Sequence, residues 1–136
     1  MLTYLFDTSA WIAHVFKEPG WEYLNALFDE DGSSIGISVV SLTELHGRLK
    51  ALGYDEQFES LCEFYRPLFD QIVSVDENIA LRAIALKRVA TDRLPGFDAL
   101  IAATASLQEA VLIHRDAHFH SISSGCLKQE TLPTLD

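Results

Sequence analysis

Hydrophobic positions along this chain fall into two rhythms. Short, nearly continuous apolar runs occur at Thr3–Phe6, Ile35–Ile37, Ile72–Val75 and Val111–Ile113 and read as strands. Between them the apolar residues recur at helical spacing. Ala10 to Phe16 forms a helix opened by Asp7-Thr8-Ser9 and broken at Pro19-Gly20. Trp21, Leu24, Leu27 and Phe28 mark a second helix, and Asp31–Ser34 is a turn. A third helix runs from Ser41 to Leu52, with Gly53 as its C-terminal stop. Phe58, Leu61, Cys62 and Tyr65 carry a fourth, interrupted near Pro67. Ile79, Ala83, Leu86 and Val89 or Ala90 carry a fifth. After the loop Arg93–Gly96, the segment Phe97–Gln108 is apolar nearly all round until Ser106, which predicts a helix buried on most faces. A last helix is expected after Asp116, and Leu127–Leu132 is expected to be an edge strand.

Short apolar strands alternating with helices predict an α/β fold: a parallel sheet of four to five strands with helices on both faces. At 136 residues, 49% of them hydrophobic, the chain suits a single domain over residues 1–136 with one real core. The first residues lack the basic and apolar regions of a signal peptide, and no apolar run reaches the ~20 residues of a membrane span. A cytoplasmic protein with no membrane contact is expected. Cys62 and Cys126 stand far apart and outside any C-x-x-C pair, so two reduced thiols are expected.

Chemistry enters through four carboxylates. Asp7 follows the first strand and Asp116 follows the Val111–Ile113 strand, where ligands of an open parallel sheet bind. Glu44 lies on the third helix and Asp98 begins the apolar sixth. Each has a plainer reading. Asp7 and Asp116 suit helix N-caps, Ser41-Leu42-Thr43-Glu44 matches a capping box, and Asp98 would gain from the dipole of the helix it opens. Singly, cap and ligand stay open. Together, helix starts at one sheet edge would converge their carboxylates, and converged carboxylates are stable ionised only around a cation. Oxygen donors select a hard ion, Mg²⁺ or Mn²⁺.

The ordered set has a family likeness. Tyr4-Leu5-Phe6-Asp7-Thr8-Ser9, Ser41-Leu42-Thr43-Glu44-Leu45, Phe97-Asp98-Ala99-Leu100-Ile101-Ala102-Ala103-Thr104-Ala105 and Arg115-Asp116-Ala117-His118-Phe119 resemble the signature segments of PIN domains, most of all the VapC-type toxins of bacterial toxin–antitoxin pairs. The resemblance spans the chain. It implies a PIN-like fold and a Mg²⁺- or Mn²⁺-dependent endoribonuclease. The four site acids fall on Asp7, Glu44, Asp98 and Asp116, and Thr8 or Ser9 takes the hydroxyl position after the first Asp. It also implies an antitoxin as partner. His114 stands where the family carries Thr or Ser, and is expected to support the site from behind.

A formal net charge of −10 speaks against a broad phosphate-binding face and for cations or a small basic protein as partners. Arg48, Lys50, Arg88, Arg93 and Arg115 remain as local guides for RNA. A homodimer is also expected: Trp11, Trp21 and Phe28 are either core or a face for a second copy or for the antitoxin. His114, His118 and His120 beside Asp116 raise a zinc site, disfavoured because no remote pair of histidines completes it. His14 and His46 read as helix-surface residues. Two other α/β classes fit worse. A phosphoacceptor receiver wants paired acids after the first strand and a Lys after a late one, where this chain has His114. A haloacid-dehalogenase phosphatase wants D-x-D, and Ser9 breaks it. An inactive binding module on the same fold would not need all four acids.

Overall fold

The structure, a computed structural model, describes residues 1–135. Five strands form one wholly parallel sheet: β1 (Tyr4–Phe6), β2 (Ile35–Ser38), β3 (Gln71–Val73), β4 (Val111–His114) and β5 (Gln129–Thr131), in the order β3-β2-β1-β4-β5. Six helices connect them: α1 (Thr8–Val15), α2 (Trp21–Phe28), α3 (Val40–Ala51), α4 (Phe58–Tyr65), α5 (Glu77–Val89) and α6 (Gly96–Gln108). The expected helix after Asp116 is a 3-10 turn, Ala117–Ser121. The third strand ends at Val73 rather than Val75, because Asp76 caps α5 by accepting from the Ile79 N–H at 2.9 Å.

The pleat sends alternate residues to opposite faces, and each face has its own helices. Phe6, Ile35, Ile37 and Ile113 meet Ala10, Trp11, Leu24, Leu27, Leu45, Leu49 and Tyr65 of α1 to α4. Leu5, Val73 and Leu112 meet Ile79, Ala83 and Leu86 of α5 and the apolar run Ala99–Ala105 of α6. Each fully buried Leu, Ile or Phe contributes about 1.5–3 kcal/mol against exposure. Runs apolar on both sides, such as Leu5-Phe6 and Leu112-Ile113, are what a doubly covered sheet demands.

Two glycines have a steric reason. A Cβ at Gly36 in β2 would lie 2.5 Å from Leu2 and 2.8 Å from the Gln71 carbonyl oxygen, so only glycine lets β3 and the N-terminal segment close on β2. Gly53 ends α3 with φ +83°, and its N–H bonds to the Lys50 carbonyl at 3.1 Å. Trp11 is core, stacked edge-on against Tyr65 and Phe69, and so is no candidate for a partner-facing surface. Phe28 is half-buried against Phe6 and Phe69. Trp21 is half-buried, with the Lys17 ammonium over its ring. His14 is not a bare surface residue either: its ring nitrogens meet the Tyr65 hydroxyl at 2.6 Å and Asn25 Oδ1 at 2.9 Å, tying α1 to α4 and α2. Both cysteines are free. Among the described residues no helix is long and apolar enough to cross a membrane.

Candidate acid site at the carboxyl edge of the sheet

The carboxyl ends of the central strands β1, β2 and β4 open on one side. Asp7 leaves β1 there, α3 starts there just beyond β2, and Asp116 follows β4. The first turn of α6 brings Asp98 to the same place. Asp7, Thr8, Ser9, Glu44, Asp98 and Asp116 line one cleft of about 450 Å³, together with Ile12, Gly47, Arg48, Ala51 and Ile101. The four acids named from the sequence are thus neighbours in space. A larger cleft, of about 760 Å³, lies on the α5–α6 side, but it gathers no comparable set of carboxylates.

The capping alternatives resolve differently for each acid. Asp7 caps α1, accepting from the Ala10 N–H at 2.8 Å, and Asp116 caps the following 3-10 turn through the His118 N–H at 2.9 Å. Both also face the cleft, so capping and clustering coexist. Glu44 is no capping-box residue: α3 begins at Val40, which puts Ser41 inside the helix. Its carboxylate instead accepts from the Thr8 hydroxyl at 2.5 Å, and that hydroxyl lies 2.9 Å from Ser41 Oγ. Asp98 caps nothing, since Pro95 precedes α6 without a side-chain hydrogen bond.

Asp7 is buried, and both its oxygens accept from the Ser9 hydroxyl, at 2.7 and 2.8 Å. Ser9 Oγ in turn accepts the Arg115 N–H at 2.9 Å, which links the end of β1 to the segment after β4. Burial above all, helped by the charges of Asp116 and Asp98, pushes the Asp7 carboxyl up to about 7 against these hydrogen bonds. The Asp98 carboxyl is pushed up to about 6 by burial and by Asp116, with His118 opposing the rise. These two acids therefore give up their protons only at about 7 and about 6, well above an ordinary carboxylate, chiefly because they are buried.

His118 joins two of these acids. Its Nδ1 sits 3.0 Å from Asp98 Oδ2 and 3.0 Å from Asp116 Oδ1, and one donor atom from each of the three side chains lies within 4.8 Å of the others. Among the described residues this is the one group of three or more His, Cys, Asp or Glu so placed. In sequence His118 falls between His114 and His120, which have other duties. The signal missed was the Asp116-x-His118 spacing, which lets one turn aim both side chains at the same point.

His114 is fully buried in β4. Its Nδ1 accepts the Asp116 backbone N–H at 3.1 Å, so its proton resides on Nε2, which donates to Gln129 Oε1 at 2.8 Å. Burial lowers its pKa, in keeping with a neutral ring. It fixes the backbone of Asp116 and ties β4 to β5. His120 Nε2 meets Thr131 Oγ1 at 2.9 Å. Of the basic residues named as RNA guides, Arg48 lines the cleft and is exposed. Arg115 is spent elsewhere: its guanidinium binds Glu18 at 2.9 Å and the carbonyls of Pro19 and Pro133 at 2.5 and 2.7 Å.

The signature of the PIN domain family matches residues 4–124. A search of curated protein sequences gives no match. Solved structures resemble the chain over nearly its full length. VapBC2 from Rickettsia felis, bound to a DNA fragment from its promoter, shares 21% identity over 98% of this chain and 100% of that one, with a TM-score of 0.78. DNA-bound VapBC from Salmonella typhimurium shares 23% over 96% and 98%, with a TM-score of 0.76. A toxin–antitoxin complex from Klebsiella pneumoniae shares 28% over 85% and 88%, with a TM-score of 0.62.

Proposed function

This chain belongs to the PIN domain family, and from that premise we propose that it is a Mg²⁺- or Mn²⁺-dependent endoribonuclease acting in the cytoplasm as the toxin of a toxin–antitoxin pair. The observation that carries the reading is the single cleft lined by Asp7, Glu44, Asp98 and Asp116, with Asp7 and Asp98 held well above the usual carboxylate range. Acids so crowded are at odds with water and with one another until a cation joins them. Their carboxylate oxygens suit a hard divalent ion.

When bound, such an ion supplies a water of lowered pKa and offsets the charge that gathers on a scissile phosphate. The remaining work belongs to the chain. Asp7, Asp98 and Asp116 would hold the ion, with Asp7 aimed by the Ser9 hydroxyl and Asp116 by the His114 ring. Glu44, steadied by Thr8, would accept a hydrogen bond from the attacking water and orient it. Arg48 at the rim would meet a phosphate of the incoming strand. The phosphoacceptor reading lacks a comparable fit, since no Lys lines the cleft beside Asp7.

Three observations support a small basic antitoxin as partner. The net charge is −10. The structures to which the chain is similar include complexes described as toxin–antitoxin or VapBC assemblies. An apolar groove between α1, α2 and α4, lined by Val15, Trp21, Leu61 and the exposed Phe64, offers a protein segment a hydrophobic seat. An Arg from that segment entering the acid cleft would bind Asp98 or Asp7 bidentately in place of metal. A homodimer remains part of the proposal, without Trp11 in its interface.

The deciding experiment incubates purified protein with total cellular RNA in Mg²⁺, Mn²⁺ or chelator and maps the ends produced. Wild type should cut only with metal, and Asp98→Asn should cut in neither. Cleavage by Asp98→Asn at the wild-type rate, or undiminished cleavage in chelator, would remove the basis of the proposal.

A further inference from the structure

We propose that His118 is itself a ligand of the ion taken by the acid cleft, so that Asp98, Asp116 and His118 hold it through two carboxylate oxygens and the imidazole Nδ1. The inference rests on reading the cleft as a metal site and concerns a residue outside the four acids.

The geometry is specific. Nδ1 stands 3.0 Å from Asp98 Oδ2 and 3.0 Å from Asp116 Oδ1. Adjacent donors on an octahedral ion lie about 3 Å apart, √2 times a bond of ~2.1 Å. Nδ1 therefore already keeps the spacing of a neighbouring metal donor to each carboxylate oxygen, and all three atoms lie within 4.8 Å of one another. Nδ1 hydrogen-bonds Asp98 Oδ2 and stands at ion-pair distance from Asp116 Oδ1. An imidazole can carry its hydrogen on Nε2 instead, which frees the Nδ1 lone pair for an ion at the same point.

The ring has no competing task. Its side chain is 52% exposed, so it is not packed as core, and its ring hydrogen-bonds Asp98 and lies at ion-pair distance from Asp116. Its backbone is pinned on both sides: the N–H donates to Asp116 Oδ1 at 2.9 Å, and the carbonyl accepts from the Ser121 hydroxyl at 2.8 Å. Asp98 lies 20 residues away in sequence, so the contact comes from the tertiary fold and not from a local turn.

An imidazole donor has a consequence for selectivity. Nitrogen ligands favour Mn²⁺ and later transition ions over Mg²⁺, which prefers oxygen. The cleft should therefore take Mn²⁺ in preference to Mg²⁺, with His118 as the cause. The rival account makes His118 a stand-in cation that pairs with the acids and leaves when metal enters. The two accounts predict opposite effects of removing the ring.

The test measures Mn²⁺ and Mg²⁺ binding to chelator-stripped protein by calorimetry, and reads nitrogen coupling in the electron spin-echo of bound Mn²⁺. The variants are His118→Ala, His118→Asn and the pair Asp98→Asn with Asp116→Asn, each checked for its fold by circular dichroism. Nitrogen coupling should be present in wild type and absent in both His118 variants, because His114 and His120 are engaged elsewhere. His118→Ala should weaken Mn²⁺ binding at least about tenfold and Mg²⁺ binding less. His118→Asn, which offers an oxygen where Nδ1 stood, should recover Mg²⁺ binding without the nitrogen signal. Mn²⁺ bound without nitrogen coupling, or bound as tightly or more tightly by His118→Ala, overturns the assignment while leaving the acid site standing. Mn²⁺ binding that survives the double Asp→Asn change overturns both.

Discussion

Replacing Asp7 by Asn should make the metal-free protein more stable, and the gain should grow with pH. The Asp7 carboxyl stands at about 7 in the folded chain, raised mainly by burial, against a reference of 3.8. A carboxyl with a raised folded pKa binds its proton more tightly folded than unfolded. The stability that Asp7 contributes is therefore fullest below about pH 4 and is lost as pH rises from about 4 to about 7. A shift of about three pKa units at ~1.4 kcal/mol each makes the ionised side chain cost about 4 kcal/mol at pH 8. Asn is neutral at every pH. Its single oxygen can keep the Ala10 N–H, but it loses the two-oxygen grip on the Ser9 hydroxyl, which takes back about 1 kcal/mol. The net gain at pH 8 is about 3 kcal/mol, on the order of 10 °C in Tm for a chain of this size. At pH 4 the gain should vanish. The assay is thermal unfolding followed by circular dichroism in chelator across pH 4 to 8, wild type beside Asp7→Asn. A variant no more stable than wild type at pH 8, or a difference that does not change with pH, would refute the claim that Asp7 is ionised at a cost.

Divalent metal should offset that cost in the wild type. Mn²⁺ at a hundred times its Kd should stabilise wild type by about 2.7 kcal/mol, and the variant with Asn at both Asp7 and Asp98 should show no such shift in melting curves. Gly36→Ala should destabilise the fold by several kcal/mol, because the new Cβ meets the Gln71 carbonyl oxygen at 2.8 Å as well as Leu2; a urea-unfolding free energy within about 0.5 kcal/mol of wild type would contradict that contact. Expression of the chain alone should arrest growth, and co-expression of the small reading frame beside its gene should relieve it. A neighbour whose product neither co-purifies with the chain nor lowers its RNA cleavage would end the antitoxin assignment and leave the nuclease reading intact.

Most of the fold was legible because its elements obey local rules. Runs such as Leu5-Phe6 and Leu112-Ile113, apolar on both faces, could only be central strands, and the apolar circumference of Ala99–Ala105 could only be a buried helix. What failed did so where tertiary context decides. Val75 has strand composition, yet the Asp76 cap ends the strand before it. The helix expected after Asp116 shortens to a 3-10 turn whose last residues serve the loop: the Ser121 hydroxyl bonds back to the His118 carbonyl. The acids themselves were visible as residue types at strand ends and helix starts, but their surroundings were not. Nothing in a linear reading tells that Ser41 lies inside α3 rather than capping it, that Thr8 reaches Glu44 across 36 positions, or that Arg115 closes on Glu18 instead of reaching for RNA.

The same distinction explains why His114 and His118, alike in sequence, are unlike in chemistry. β4 is parallel to β1 on one side and β5 on the other, so His114, its last residue, is enclosed by the sheet and the Phe119 ring. Enclosure and an acceptor role toward the Asp116 N–H leave its Nδ1 with no lone pair for a metal. Four residues later the chain has left the sheet and turned back over its edge. There the backbone of Asp116 is already fixed from behind by His114, and its carboxylate is fixed from in front by the His118 N–H. A hydroxyl at position 114 could hold the Asp116 backbone as the ring does, which is how His can stand in place of the family's Thr or Ser without disturbing the acid beyond it. Position 118 allows no such exchange under the ligand proposal, because there the nitrogen itself faces the two carboxylates. Substitution to Thr should therefore be tolerated at 114, with metal affinity kept, and not at 118; equal losses of Mn²⁺ affinity at the two positions would show that the two rings act only as packing around a site that the acids build alone.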